Sequence, residues 1–122
     1  MGDTMSLEAT LKSLLGPVVS GRCYPDTVPD NPVFPLIVYQ GVGGVAVEYV
    51  EQVIADKENS RVQVWVWSKS RLEASTVARQ ARAAIIGSAL QANTLAAPVS
   101  TYDEAMKLYG ARADFSIWYT PT

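Results

Sequence analysis

The chain has 122 residues, enough for one domain with a single core and too few for two. With 48% hydrophobic residues, 18% charged residues and a net charge of −2, it offers no bulk attraction to nucleic acid or to an anionic membrane. It has no His, which excludes His-based acid–base catalysis, Ser-His-Asp and Cys-His sites and most zinc sites, and its one Cys excludes an internal disulfide or a thiolate cluster.

Residues 1–12 carry neither a basic stretch nor an apolar run, so no secretory signal is expected, and synthesis in a reducing cytoplasm is. Leu7, Leu11, Leu14 and Leu15 then fall on one face of a helix. Ser6 can cap it, Glu8 suits its first turn, and Gly16 with Pro17 stops it. Residues 16–35 hold Pro17, Pro25, Pro29, Pro32 and Pro35, which forbids a long helix. Val18, Val19, Tyr24, Val33 and Phe34 punctuate the same stretch, predicting a loop packed over the domain rather than a free linker.

The apolar run Leu36, Ile37, Val38, Tyr39, bounded by Pro35 and Gly41, predicts a strand covered on both faces. Gly41-Val42-Gly43-Gly44 lacks the Lys-Ser/Thr of a phosphate-binding loop and reads as a turn or bulge. A second strand is predicted over residues 45–54, a polar turn over 56–59 and a third strand over 60–68. In the third, Val62, Val64 and Val66 take one face and Gln63, Trp65 and Trp67 the other. Short connections make these three an antiparallel meander.

Ser70 and Glu73 form a capping box that opens a helix over residues 71–86. Ala74, Val77, Ala78, Ala81 and Ile85 share its core face, while Arg71, Arg79 and Arg82 lie elsewhere. Two more strands are predicted over residues 94–102 and 108–119, the last with Ala113, Phe115, Ile117 and Tyr119 alternating with Arg112, Asp114, Ser116 and Trp118. The order α-β-β-β-α-β-β implies an α+β domain: an antiparallel or mixed sheet of four to five strands with helices packed on one face.

Little in this sequence can do chemistry. Asp26 with Asp30, and Asp103 with Glu104, read as solvated turn residues. Arg22 would lower the pKa of the adjacent Cys23, but no base is at hand, so a structural Cys is expected. No catalytic residue, cofactor site or metal site is predicted. The unusual feature is aromatic placement. If the valine face of residues 60–68 is core, Trp65 and Trp67 crowd the outer face. Either the Pro-rich stretch covers them, or they belong to an interface, where Trp and Tyr are enriched. Trp118 and Tyr119 pose the same question. Arg71, Arg79 and Arg82, with Lys69 nearby, make either a solvated helix face or a surface that tolerates passing DNA.

Taken in order, these pieces resemble the tail-completion proteins of tailed bacteriophages, also described as tail-terminator or tail-to-head joining proteins. Gly21-Arg22-Cys23-Tyr24-Pro25 with Pro29 looks like the family's start of the Pro-rich loop, and Pro35-Leu36-Ile37-Val38-Tyr39-Gln40 like its first strand. Arg61 through Trp67 looks like the central strand, followed by Glu73-Ala74 at the helix start. Tyr102-Asp103, Leu108-Tyr109 and Asp114 through Trp118 look like the closing hairpin. Trp65 departs from the pattern, where an acidic or small polar residue is commoner.

The resemblance implies one tail-completion-like domain over residues 1–122 and a structural, non-enzymatic role. It implies a ring of self-associated subunits, typically a hexamer, on the end of the tail tube. The ring stops tube growth and joins the head connector, and its lumen lets DNA through without binding it specifically. Partners would be the chain itself, the major tail tube protein and connector proteins, with no membrane. The location would be the virion, at the tail end or neck, after synthesis in a host bacterium, from a phage or a prophage. Trp65, Trp67, Trp118 and Tyr119 are then the interface candidates, and Arg71, Arg79 and Arg82 the lumen or contact candidates. The alternatives are another neck or minor tail component, such as a connector adaptor, and a small α+β ligand-binding or enzymatic dimer.

Overall fold

A computed structural model of the chain describes residues 6–45 and 57–120. Helix α1 spans Leu7–Leu15. Its start follows the sequence: the Ser6 hydroxyl accepts the Ala9 N–H at 3.1 Å. Leu11 and Leu15 are buried, and a 3-10 turn over Gly16–Val19 takes over where Pro17 prevents the helix from continuing.

The Pro-rich stretch is more than a loop. Within it, Cys23–Pro25 forms a short strand, β1, parallel to β2 (Leu36–Gly41), with Cys23 opposite Ile37. Parallel neighbours cannot be joined by a tight turn, and residues 26–35 supply the longer crossover. Both ends are tied: Asp26 N–H donates to the Tyr39 carbonyl at 3.0 Å, and Arg22 Nε donates to the Pro35 carbonyl at 2.8 Å. Three residues are too few to show a period of two, and Pro25 discourages a strand reading. Pro is tolerated because β1 is an edge strand.

Strand β3 (Glu58–Ser68) pairs antiparallel and directly with β2, from Leu36–Trp67 to Gly41–Val62. The first and third members of the predicted meander are therefore neighbours. The strand predicted over residues 45–54 lies outside the described residues beyond Val45. The glycine segment runs on beside β3: Val42 N–H donates to the Arg61 carbonyl at 2.8 Å and Arg61 N–H to the Gly43 carbonyl at 2.7 Å. At Gly44, φ is +147° and a Cβ would overlap the Asn59 carbonyl, so only glycine fits.

Helix α2 spans Arg71–Ile86. Its capping box closes through an extra residue. Glu73 N–H donates to Ser70 Oγ at 3.3 Å, but the Glu73 carboxylate accepts from the Ser68 hydroxyl at 2.6 Å, and Ser68 Oγ accepts the Ser70 N–H at 3.1 Å. Where one strand was expected over 94–102, there are two: β4 (Gln91–Thr94) and β5 (Val99–Asp103). Both pair with β6 (Leu108–Tyr119), β5 along its first half and β4 along its second. Residues 95–98 stand opposite only Ala113 and Asp114, so the line bulges there, at Pro98, which cannot donate to a ladder.

The sheet runs β1-β2-β3-β6-β4, with β5 also on β6, and only β1–β2 is parallel. It thus has six strands rather than four to five, and the α+β class holds. Both helices pack on the face carrying Val62, Val64, Val66, Ala111, Ala113, Phe115 and Ile117, all buried with Leu11, Leu15, Val77 and Ile85 in one cluster. The contact face of α2 is mostly alanine, which lets the helix lie close to the sheet. No helix among the described residues is long and apolar enough to cross a membrane.

Phe115 is the largest fully buried side chain of this core. Phe115→Ala should destabilise the fold by about 3–5 kcal/mol, read as a lower midpoint in urea with an unchanged slope.

Candidate interaction surface

One face of the sheet carries the helices and the other does not. Alternation along β3 and β6 places Trp67, Trp65, Gln63 and Arg61 on this outer face, opposite Gly110, Arg112, Asp114 and Ser116. The Trp65 and Trp67 indoles stack with centroids 5.5 Å apart and planes 2° apart. Gly110 makes room for them: a Cβ there would sit 2.8 Å from both the Trp67 ring and the Thr101 methyl. Across the other edge, Leu36 and Val38 pair with Trp67 and Trp65 and are buried on this same outer face. That is why β2 reads as an unbroken apolar run.

The aromatic half gives way to a charged centre. Asp114 has a side chain only 8% exposed. Its Oδ2 accepts from Arg61 Nε at 3.0 Å and Arg61 Nη2 at 2.7 Å, with Gln63 Nε2 at 3.5 Å. Arg112 Nε lies 3.7 Å from Oδ1, and its guanidinium sits 5.4 Å over the Trp65 ring. One carboxylate thus pins two guanidiniums that are themselves 52% and 37% exposed, and the centre carries net positive charge. Farther along, Asn59 Nδ2 donates to Ser116 Oγ at 2.9 Å while its Oδ1 accepts the Val45 N–H at 2.9 Å. Trp118 lies at the end of this face, opposite Asn59 and Gln91.

The sequence-derived candidates therefore separate onto three surfaces. Trp65, Trp67 and Trp118 share the outer face, with the first two in contact. Tyr119 points the other way, on the helix side, where it lines an open cleft of about 320 Å³ with Ser6, Leu7, Glu8, Leu11, Asp26 and Tyr39. Burial pushes the Tyr39 and Tyr119 hydroxyls above their ordinary pKa, with nearby carboxylates adding to it. Arg71, Arg79 and Arg82 are exposed on α2, and Arg71 lies 5.7 Å over the Tyr109 ring.

The Asp114 centre escaped the sequence reading. Arg112 and Asp114 share a face two residues apart, but Arg61 and Gln63 lie about fifty residues away and meet them only through the β3–β6 register. The turn readings hold where the contacts are given. Asp103 Oδ1 accepts the Met106 N–H at 3.0 Å, and Asp26 sits in a left-handed turn at φ 64°. Cys23 is fully buried, and desolvation lifts its thiol to about 11 despite the pull of Lys12. The Arg22 guanidinium is occupied at Pro35 rather than activating it. Among the described residues, no three His, Cys, Asp or Glu side chains cluster as metal ligands would.

Compared with known proteins, the chain matches the family model described as tail completion protein gp17 over residues 6–120. No curated protein matches it.

Two outcomes follow from this geometry. Gly110→Ala should displace Trp67, costing about 1–3 kcal/mol, and near-ultraviolet circular dichroism should lose the signal of the stacked indoles. Cys23 should resist alkylation at pH 8 in the folded chain and react on unfolding. Its raised pKa also means that the folded state holds the thiol proton more tightly than the unfolded chain. Stability is therefore intact below the ordinary pKa of 9.0 and falls as pH rises from there through about 11.

Proposed function

The chain belongs to the bacteriophage tail completion family, and from that premise we propose that it forms a ring on the end of the tail tube, stops tube growth and joins the tail to the head connector. Membership itself makes it a structural component of the virion that associates with other tail and head proteins. The match over residues 6–120 is the observation that carries the finer reading.

The proposed ring is a hexamer of one-domain subunits, made in the host cell and placed at the tail end or neck, with DNA passing through unbound by sequence. Its work is contact rather than catalysis. A ring needs heterologous contacts, in which one patch of a subunit meets a different patch of the next and the rotation closes. It also needs further faces for the tube and the connector. The outer sheet face suits such a partner: a rigid Trp pair beside two arginines is the composition enriched at the centre of protein interfaces. We assign Trp65, Trp67 and Trp118 to contact with the tube or connector.

Negative-stain microscopy of the purified chain mixed with tail tubes tests the proposal. Rings capping tube ends, and tubes of fixed length when the chain is present during assembly, are expected. Bare tube ends at saturating protein would refute it. Trp65→Ala, which leaves the helix-side core untouched, should lower end occupancy on the order of tenfold.

A further inference from the structure

Two surfaces on the helix side are complementary in charge. The first is the cleft between the start of α1 and the ends of β2 and β6. Its apolar wall is Leu7, Leu11 and the rings of Tyr39 and Tyr119, and its rim carries the exposed carboxylates Glu8 and Asp26. Tyr39 is only 4% exposed, yet it lines this cleft. The hydroxyl donates to the Glu8 carbonyl at 3.5 Å, the outer limit of a hydrogen bond. With Glu8 and Asp26 exposed at its rim, the cleft presents hydrogen-bond acceptors.

The second surface is the distal half of α2. Arg79, Arg82 and Ile86 are spaced i, i+3 and i+7 and so form one patch. All three are exposed, Ile86 at 44%, and no carboxylate pairs with either arginine among the described residues. The patch is a pair of guanidinium groups with an apolar residue one turn beyond them toward the helix C-terminus, set against a cleft with an apolar wall and two carboxylates.

Their placement follows from helix geometry. Ser70, Glu73, Thr76, Val77 and Gln80 line a groove with Val18, Val19 and Ser20, so that flank of α2 looks toward the 3-10 turn that follows α1. Arg71 lies over Tyr109 of β6, so its flank looks away, toward the β5 edge. At about 100° per residue, Arg79, Arg82 and Ile86 fall within roughly 80° of Arg71. The patch and the cleft thus lie on opposite sides of one subunit, as a head-to-tail contact requires.

We propose that the Arg79–Arg82–Ile86 patch of one copy docks in the Glu8–Asp26–Tyr39 cleft of the next copy, and that this is the contact that closes the ring. An arginine stem buries its methylenes against Leu7 and the tyrosine rings while its head meets the rim carboxylates and the Tyr39 oxygen. Duplex DNA would also attract Arg79 and Arg82, but a phosphate backbone has no use for the exposed isoleucine beside them, and the chain is net acidic. The proposal rests on the ring reading above.

Sedimentation of the full chain at low salt, and microscopy on tail tubes, test it. Arg79→Glu with Arg82→Glu should weaken self-association on the order of tenfold or more, and so should Glu8→Arg with Asp26→Arg. Combining all four should restore most of it. Circular dichroism and thermal melts check that each variant is folded, and mixed chains bearing Arg82→Cys and Asp26→Cys should form an inter-chain disulfide that neither forms alone. Association unchanged by either reversal overturns the proposal. So does a chain that stays monomeric at millimolar concentration, and so does a reversal that alters only the retention of duplex DNA in a gel. Rings on tube ends that ignore these variants overturn this contact alone, whereas bare tube ends remove the ring itself.

Discussion

Eleven consecutive residue pairs join β3 to β6, and the rest of the domain hangs on that ladder. It brings Val62, Val64 and Val66 beside Phe115, Ala113 and Ala111 in one continuous buried strip. At about 1.5–3 kcal/mol for each large aliphatic or aromatic side chain buried, this strip outweighs any single polar contact in the molecule. Both helices dock on it, and β2, β4 and β5 extend it sideways. Because side chains alternate, a slip of one residue would exchange the valines with Trp65, Trp67 and Arg61 and place a guanidinium under α2.

The same ladder builds the opposite surface. Two tryptophans two residues apart must lie on one face, and they stack only because Gly110 and Thr101 across the strand leave a flat floor. Arg112, opposite Trp65, then covers the ring and reaches Asp114, which the bulge between β4 and β5 leaves beside the Leu95 N–H. With Arg61 about half exposed, the ion pair adds little stability through water. Its value lies in orientation. One nearly buried carboxylate holds two guanidiniums and an indole in a fixed arrangement before any partner arrives, which reduces the entropy that binding costs. Exposed arginines on α2, exposed carboxylates at the cleft and aromatic side chains on the opposite sheet face give one small domain several chemically distinct surfaces.

Much of this was legible in the residues. The Ser6 and Ser70 caps, the Gly16–Pro17 stop, the core face of α2 and the two faces of β3 and β6 all follow from local chemistry or from a period of 3.6 or 2. What escaped has specific causes. β1 is three residues long and ends in Pro25, so its only signature is the parallel ladder it makes with Ile37 and Tyr39. The break between β4 and β5 depends on how four residues fit opposite two. Tyr119 is aromatic and adjacent to Trp118, yet adjacent residues in a strand face opposite ways, so it lines the cleft and leaves the outer face to the tryptophans.

Composition and pattern alone determined that this protein is an α+β domain with no histidine chemistry, an inert cysteine and more tryptophan on one strand than a core can use. These are properties of side-chain identity and short-range spacing, which need no tertiary contact to be read. Only the tertiary structure decided which strand neighbours which, that Arg61 reaches Asp114, and that Glu8, Asp26 and Tyr39 meet at one cleft. The contact of Arg61 with Asp114 joins residues 53 positions apart, and it exists only once the β3–β6 register has placed them.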